Sequence, residues 1–91
     1  MEINGINYEL VKNYRDGFSQ EEVAEALTDY YFDYDYVVGD WAYGKLRLKG
    51  FNDKKNKKFN KINDAALIDS YIENNCAYGC KHFVLKKIEK K

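Results

Sequence analysis

An α+β fold is what this 91-residue chain predicts: a two-layer sandwich with two helices on one face of a mainly antiparallel four- to five-stranded sheet. Three observations carry the expectation. Stretches in which β-branched and aromatic residues alternate with polar ones are separated by Gly-containing turns, the pattern of antiparallel hairpins. Two other stretches carry apolar residues at helical spacing on one face only. The resulting order, ββαββαβ, contains no cleanly repeating strand–helix–strand crossover, which favours segregated helices on an antiparallel sheet.

Length and composition fit one unit. A chain of 91 residues with 45% apolar content suits a single compact domain, 1–91, of modest core. Met1 is followed directly by strand-like sequence, without a basic region and apolar stretch of an export signal, and no apolar run approaches the ~20 residues of a membrane span. A cytoplasmic protein with no membrane association is expected, and its two Cys residues are expected as reduced thiols.

The elements follow in chain order. Ile3-Asn-Gly-Ile6 is a hairpin signal, Asn-Gly being the favoured type I′ pair, and it leads into a strand from Ile6 to about Tyr14. Ile6, Tyr8, Leu10 and Tyr14 are expected on one face of that strand. After a turn through Arg15-Asp-Gly-Phe18, the stretch Ser19-Gln-Glu-Glu22 reads as a capping box opening the first helix, with Phe18 and Val23 as its hydrophobic staple. Val23, Ala26, Leu27, Tyr30, Tyr31 and Tyr34 recur at helical spacing, so the helix is expected to reach about Phe32, with its Tyr run as packing.

The central hairpin, residues 34–51, has a register that can be argued. A two-residue loop at Tyr43-Gly44 sets Trp41 opposite Leu46, Asp40 opposite Arg47, Gly39 opposite Leu48 and Val38 opposite Lys49. One face then carries Val37, Trp41, Leu46 and Leu48. The other carries Tyr36, Asp40, Lys45, Arg47 and Lys49. A slip by one residue would set Asp40 against Leu46, which the buried face forbids.

The polar run from Asn52 to Lys61 has no periodicity and reads as a loop longer than the usual connection. Its five lysines around Phe59 resemble a phosphate-facing flap, or equally a solvated insertion. Asn63 is expected to cap the second helix, with Ile62 and Leu67 as its staple and Leu67, Ile68, Tyr71 and Ile72 as its buried stripe. His82 to Ile88 alternates as a last strand.

The net charge of zero hides an asymmetry. Residues 1–44 hold ten acids against two cations, net −8, and the remainder holds thirteen cations against five acids, net +8. A basic surface for nucleic acid or an acidic partner could come of this, although thirteen Lys to two Arg also suits an AT-rich genome with Lys as the default solubilising residue.

Chemistry-bearing constellations are few. Cys76-Ala-Tyr-Gly-Cys80-Lys-His82 offers two thiolates and an imidazole, one ligand short of a structural zinc site, and the Cys-x-x-Cys spacing of a redox pair is absent. Cys76 and Cys80 as small apolar residues of a tight turn explain the pattern as well. His82 is the only histidine and no nucleophile–base arrangement surrounds it. No glycine pattern forms a phosphate loop, so neither a cofactor nor a catalytic residue is assigned.

Arg15-Asp-Gly-Phe18, Tyr34-Asp-Tyr-Val-Val-Gly-Asp-Trp41, Leu46-Arg-Leu-Lys-Gly-Phe51 and Cys76-Ala-Tyr-Gly-Cys80 with Phe83-Val-Leu-Lys-Lys87 resemble the YutD-like family of small bacterial proteins. The resemblance covers nearly the whole chain and is most specific in the central hairpin. It implies a single α+β domain in the cytosol of Gram-positive bacteria, and it transfers no functional residues.

Two functions of different class follow from the residues. The first is a non-catalytic binding module contacting RNA, a ribonucleoprotein or an acidic protein through Tyr36, Arg47, Lys49 and Lys58, where basic side chains interleave with aromatics. The second is a thiol- or metal-dependent activity at Cys76, Cys80 and His82. Arg15 and Asp16 are expected either to hold their turn by a local ion pair or to expose an anion site.

Overall fold

The computed structural model describes residues 1–42, 44–75 and 81–88. Within them the chain forms β1 (Glu2–Ile3), β2 (Ile6–Tyr14), α1 (Gln20–Ala26), β3 (Tyr36–Ala42), β4 (Lys45–Phe51), α2 (Ile68–Asn75) and β5 (His82–Lys87). Short 3₁₀ turns occupy Asp29–Tyr31, Lys61–Asn63 and Ala65–Leu67. The α+β class and the order ββαββαβ are as expected. All five strands join one antiparallel sheet in the order β1-β2-β5-β3-β4, which puts the C-terminal strand in the middle and leaves β4 as an outer edge. No helix among the described residues is long and apolar enough to cross a membrane.

Asn4 and Gly5 take φ of 53° and 85°, the two positive values that a type I′ hairpin requires. Asn4 also acts at a distance. Its side-chain amide donates to the carbonyls of Ala24 and Leu27, each at 2.8 Å, and so satisfies groups at the end of α1 that have no intrahelical partner. The helix stops at Ala26 instead of reaching Phe32. Ser19 stands at the N-cap with extended dihedrals, but its side chain makes no cap bond, so the expected capping box is not formed. Phe18 does pack against the core cluster that holds Val23.

In β2 the register shifts between Leu10 and Lys12, leaving Val11 as a bulge. An extra residue reverses the facing of everything beyond it. Tyr14 therefore does not share the face of Tyr8 and Leu10. It opposes His82 and stacks on its ring, with centroids 4.8 Å apart and planes at 13°.

The central hairpin has the register argued from its sequence: Trp41 pairs Leu46, Asp40 pairs Arg47, Gly39 pairs Leu48 and Val38 pairs Lys49. Tyr43 lies outside the described residues, and Gly44 takes the turn with φ of 74°. Val37, Phe83 and Leu85 face α1, where with Ile3, Tyr8, Val23 and Leu27 they make the larger core. Val38, Phe51 and Val84 face the opposite way, against Ala65, Ile68, Tyr71 and Ile72. The two helices thus lie on opposite faces of the sheet, which corrects the expectation of a single helical layer. The physical reason is in the central strands, where Val37-Val38 and Phe83-Val84-Leu85 are continuous apolar runs that need cover on both sides.

The run after β4 is ordered by its asparagines. Asn52 is fully buried, and its Oδ1 accepts from the Asp35 amide at 2.9 Å and from Asn56 Nδ2 at 3.0 Å. Its backbone N–H donates to the Asn63 carbonyl at 2.7 Å and its carbonyl accepts from Ala65 at 2.9 Å, which makes a parallel bridge to Asp64. Asn60, not Asn63, is the cap of the next turn, and Asn63 is its return partner in a reciprocal box. Ile62 is 77% exposed, so it forms no staple with Leu67, itself exposed.

Candidate functional site

The 3₁₀ turn that follows α1 carries three tyrosines to the outer edge of the sheet. The Tyr34 ring lies on Gly50 of β4, where a Cβ would come within 2.3 Å of ring carbon. The Tyr31 hydroxyl donates to the Leu48 carbonyl at 3.4 Å. Tyr30 completes the cluster, its ring centroid 5.0 Å from that of Tyr31 and 5.7 Å from that of Tyr34. Across the strand stand Arg47, Lys49 and Tyr71, and together these residues line a groove of about 470 Å³ along β4.

Electrostatics on the far side of the groove are organised by Asp40. Its side chain is 3% exposed, and Arg47 Nη2 donates to its Oδ2 at 2.5 Å from a guanidinium that is half exposed. The Lys49 ammonium lies 5.5 Å from the Phe51 ring centroid and 5.8 Å from that of Tyr71, within reach of both π faces.

Four tyrosines are held above their ordinary pKa. Burial raises Tyr8, and burial followed by the neighbouring Tyr30 raises Tyr31. The hydrogen bond to Tyr30, then burial, raises Tyr34. Burial, then the Asp40 carboxylate, raises Tyr71. A phenol harder to ionise in the folded state than in the unfolded one lowers stability as pH rises above the unfolded value of about 10, because only the unfolded chain then loses protons. The contribution of these tyrosines to stability is therefore expected to be constant below about pH 10 and to fall from there upward. In an alkaline titration, tyrosinate absorbance should rise together with the loss of near-ultraviolet circular dichroism. Full ionisation of all tyrosines before any structural change would contradict the burial.

The residues singled out from sequence are partly brought together. Arg47 and Lys49 share the groove. Lys58 lies in an adjoining cleft with Tyr30, Tyr34 and Asn60, where its ammonium donates to Asp33 Oδ2 at 2.6 Å and holds that carboxyl below its usual range. Tyr36 shares the sheet face of Arg47 and Lys49 but lies outside the groove, packed against the Val38, Phe51 and Val84 core. Arg15 and Asp16 both adopt φ of 55°, and the Arg15 guanidinium stands 5.5 Å from the Tyr14 ring centroid. The ion pairs among the described residues are Arg47–Asp40 and Lys58–Asp33, so no Arg15–Asp16 pair is formed. Both observed pairs join the acidic half of the chain to the basic half, so part of the sequence asymmetry is met within the molecule. Cys76 and Cys80 lie outside the described residues. His82 begins β5, 7% exposed. No group of three or more His, Cys, Asp or Glu among the described residues is placed to hold a metal.

Tyr30, Tyr31 and Tyr34 as walls of a groove were missed, because helical spacing assigned them to one stripe. A signal was present in Thr28-Asp29, residue types that favour caps over helix interiors, and Thr28 is the cap of the 3₁₀ turn.

Comparisons with known proteins agree over nearly the whole chain. The family model described as "Putative antitoxin YutD-like" matches residues 2–86. A Bacillus subtilis (strain 168) protein named "Putative antitoxin YutD" is 46% identical over 88 residues, which is 97% of each chain. The solution NMR structure of protein yutD from B. subtilis superposes with a TM-score of 0.80 at 44% identity, covering 99% of this chain and 82% of that one.

Proposed function

Because this chain belongs to the YutD-like family, we propose that it is a non-catalytic binding module that holds an acidic protein partner in the groove along β4. The observation that carries this reading is the meeting of Arg47 and Lys49 with Tyr30, Tyr31, Tyr34 and Tyr71 in one groove. Tyrosine and arginine are the side chains that contribute most where proteins meet, since they combine large contact area with a polar tip. The word antitoxin in the relative's name points the same way, toward a partner to be bound. RNA is the weaker occupant. Neutralising a phosphate backbone needs several free cations, whereas Arg47 is tied to Asp40 and Lys58 to Asp33.

A crosslinked pull-down from the native bacterium tests this, comparing wild type with a Lys45→Glu, Lys49→Glu variant and identifying both protein and RNA. Arg47 is left intact because it is part of the fold. An acidic protein recovered by wild type and depleted about tenfold or more in the folded variant is the expected result, as rim charges steer and select partners. Equal recovery by both proteins would overturn the reading, and RNA recovered in a steeply salt-dependent way would transfer the groove to nucleic acid.

A further inference from the structure

The floor of the groove is the outer edge of β4, and the direction of its backbone groups follows from the hydrogen bonds of β3. Trp41 donates its N–H to the Lys81 carbonyl, and the Asp35 carbonyl accepts from Lys87. Odd-numbered residues there address β5, so Tyr36, Val38, Asp40 and Ala42 address β4, where they face Phe51, Lys49, Arg47 and Lys45. The N–H and C=O groups of Leu46, Leu48 and Gly50 therefore point away from the sheet. Two contacts agree. The Leu48 carbonyl takes the Tyr31 hydroxyl, and the next residue of the row, Asn52, spends both its backbone groups on Asn63 and Ala65. The chain itself starts a further strand beside this edge, one parallel bridge long at Asp64, and then leaves it.

We propose that this edge is a strand-addition site, an inference that rests on the protein-binding reading of the groove: an extended acidic segment of the partner continues the line begun by Asn63 to Ala65 and bonds to Leu46 and Leu48. Main-chain bonds supply affinity in such docking and alternate side chains supply specificity. The alternation is set by the pleat. Partner residues on the side of Lys45, Arg47 and Lys49 are acidic, and those on the side of Leu46 and Leu48 are apolar. A second copy of this chain is the wrong occupant, because β4 laid beside β4 sets three cations against the same three. Tyr31 occupies the Leu48 carbonyl at 3.4 Å, longer than the ~2.9 Å of a good amide bond, and is the group a partner strand displaces.

The probe is a blocked heptapeptide of alternating Glu and Val, used beside two N-methylated versions, one blocked at the Val amides and one at the Glu amides. Antiparallel addition uses the Val amides and parallel addition the Glu amides, so strand addition requires that one methylated version lose affinity by about tenfold or more while the other binds. Amide exchange at Leu46 and Leu48 should slow when the parent peptide is bound, and Tyr31→Phe should bind it more tightly. If both methylated peptides bind as well as the parent, strand addition is wrong while the acidic-partner reading stands. If the parent peptide does not bind, or protects residues other than those of β4, both fail.

Discussion

Arg47→Ala is expected to lower stability by about 3 kcal/mol, the cost typical of removing one partner from a buried ion pair. Asp40 is the reason. Its carboxylate is almost wholly enclosed, its Oδ1 has no hydrogen-bond partner among the described residues, and Arg47 supplies the cation at its Oδ2. Without Arg47 a charge would remain in a poorly solvated place, and the loss should exceed that of ordinary surface ion pairs, which contribute about 0–1 kcal/mol. The Asp40→Ala, Arg47→Ala double variant should be less destabilised than the sum of the single variants, since it removes the stranded charge with its partner. Chemical denaturation of the four proteins gives the coupling directly. Strict additivity would mean that Arg47 is a surface cation and that its place in the groove is not anchored by the fold.

Gly39→Ala is expected to be of similar size, at the upper end of the ~1–3 kcal/mol typical of overpacked cores. The Phe83 ring rests on Gly39, and a Cβ there would come within 2.0 Å of its Cζ. Phe83 is fully buried between β2 and β3 and has Phe18 edge-on at 5.4 Å, so the ring has no free space to enter. For a domain of this length each kcal/mol moves the thermal midpoint by about 4–8 °C, which makes the effect easy to read in a melt. Adding Phe83→Leu to Gly39→Ala should recover part of the loss. An unchanged midpoint in the single variant would show that β5 does not pack on β3 in this way.

Much of this could be read without the fold. The β3–β4 register follows from alternation around a glycine turn, since a slip by one residue would bury Asp40 in the larger core. The Asn4-Gly5 hairpin is likewise a local matter of dihedral preference, and the start of α1 after Ser19 stands where the sequence put it although the Ser19 side chain makes no cap bond. Arg47 and Lys49 were visible as neighbours on one strand face. What joined them to Tyr30, Tyr31 and Tyr34 was not, because helical spacing fits those tyrosines as well as the broken helix that the chain adopts.

The sequence by itself determined the class, the order of elements along the chain and the register of the β3–β4 hairpin, because these are consequences of periodicity and turn chemistry within a few residues. Tertiary structure completed the end of α1, at which Thr28-Asp29 gave a local hint, through an Asn4 amide that reaches carbonyls 20 and 23 residues away. It also decided that α2 covers the face opposite α1, that the bulge at Val11 turns Tyr14 toward His82, and that a tyrosine cluster meets the open edge of β4. Periodicity states that a face must be covered, but the element that covers it is chosen by contacts between residues far apart in the chain, and such contacts leave no local pattern.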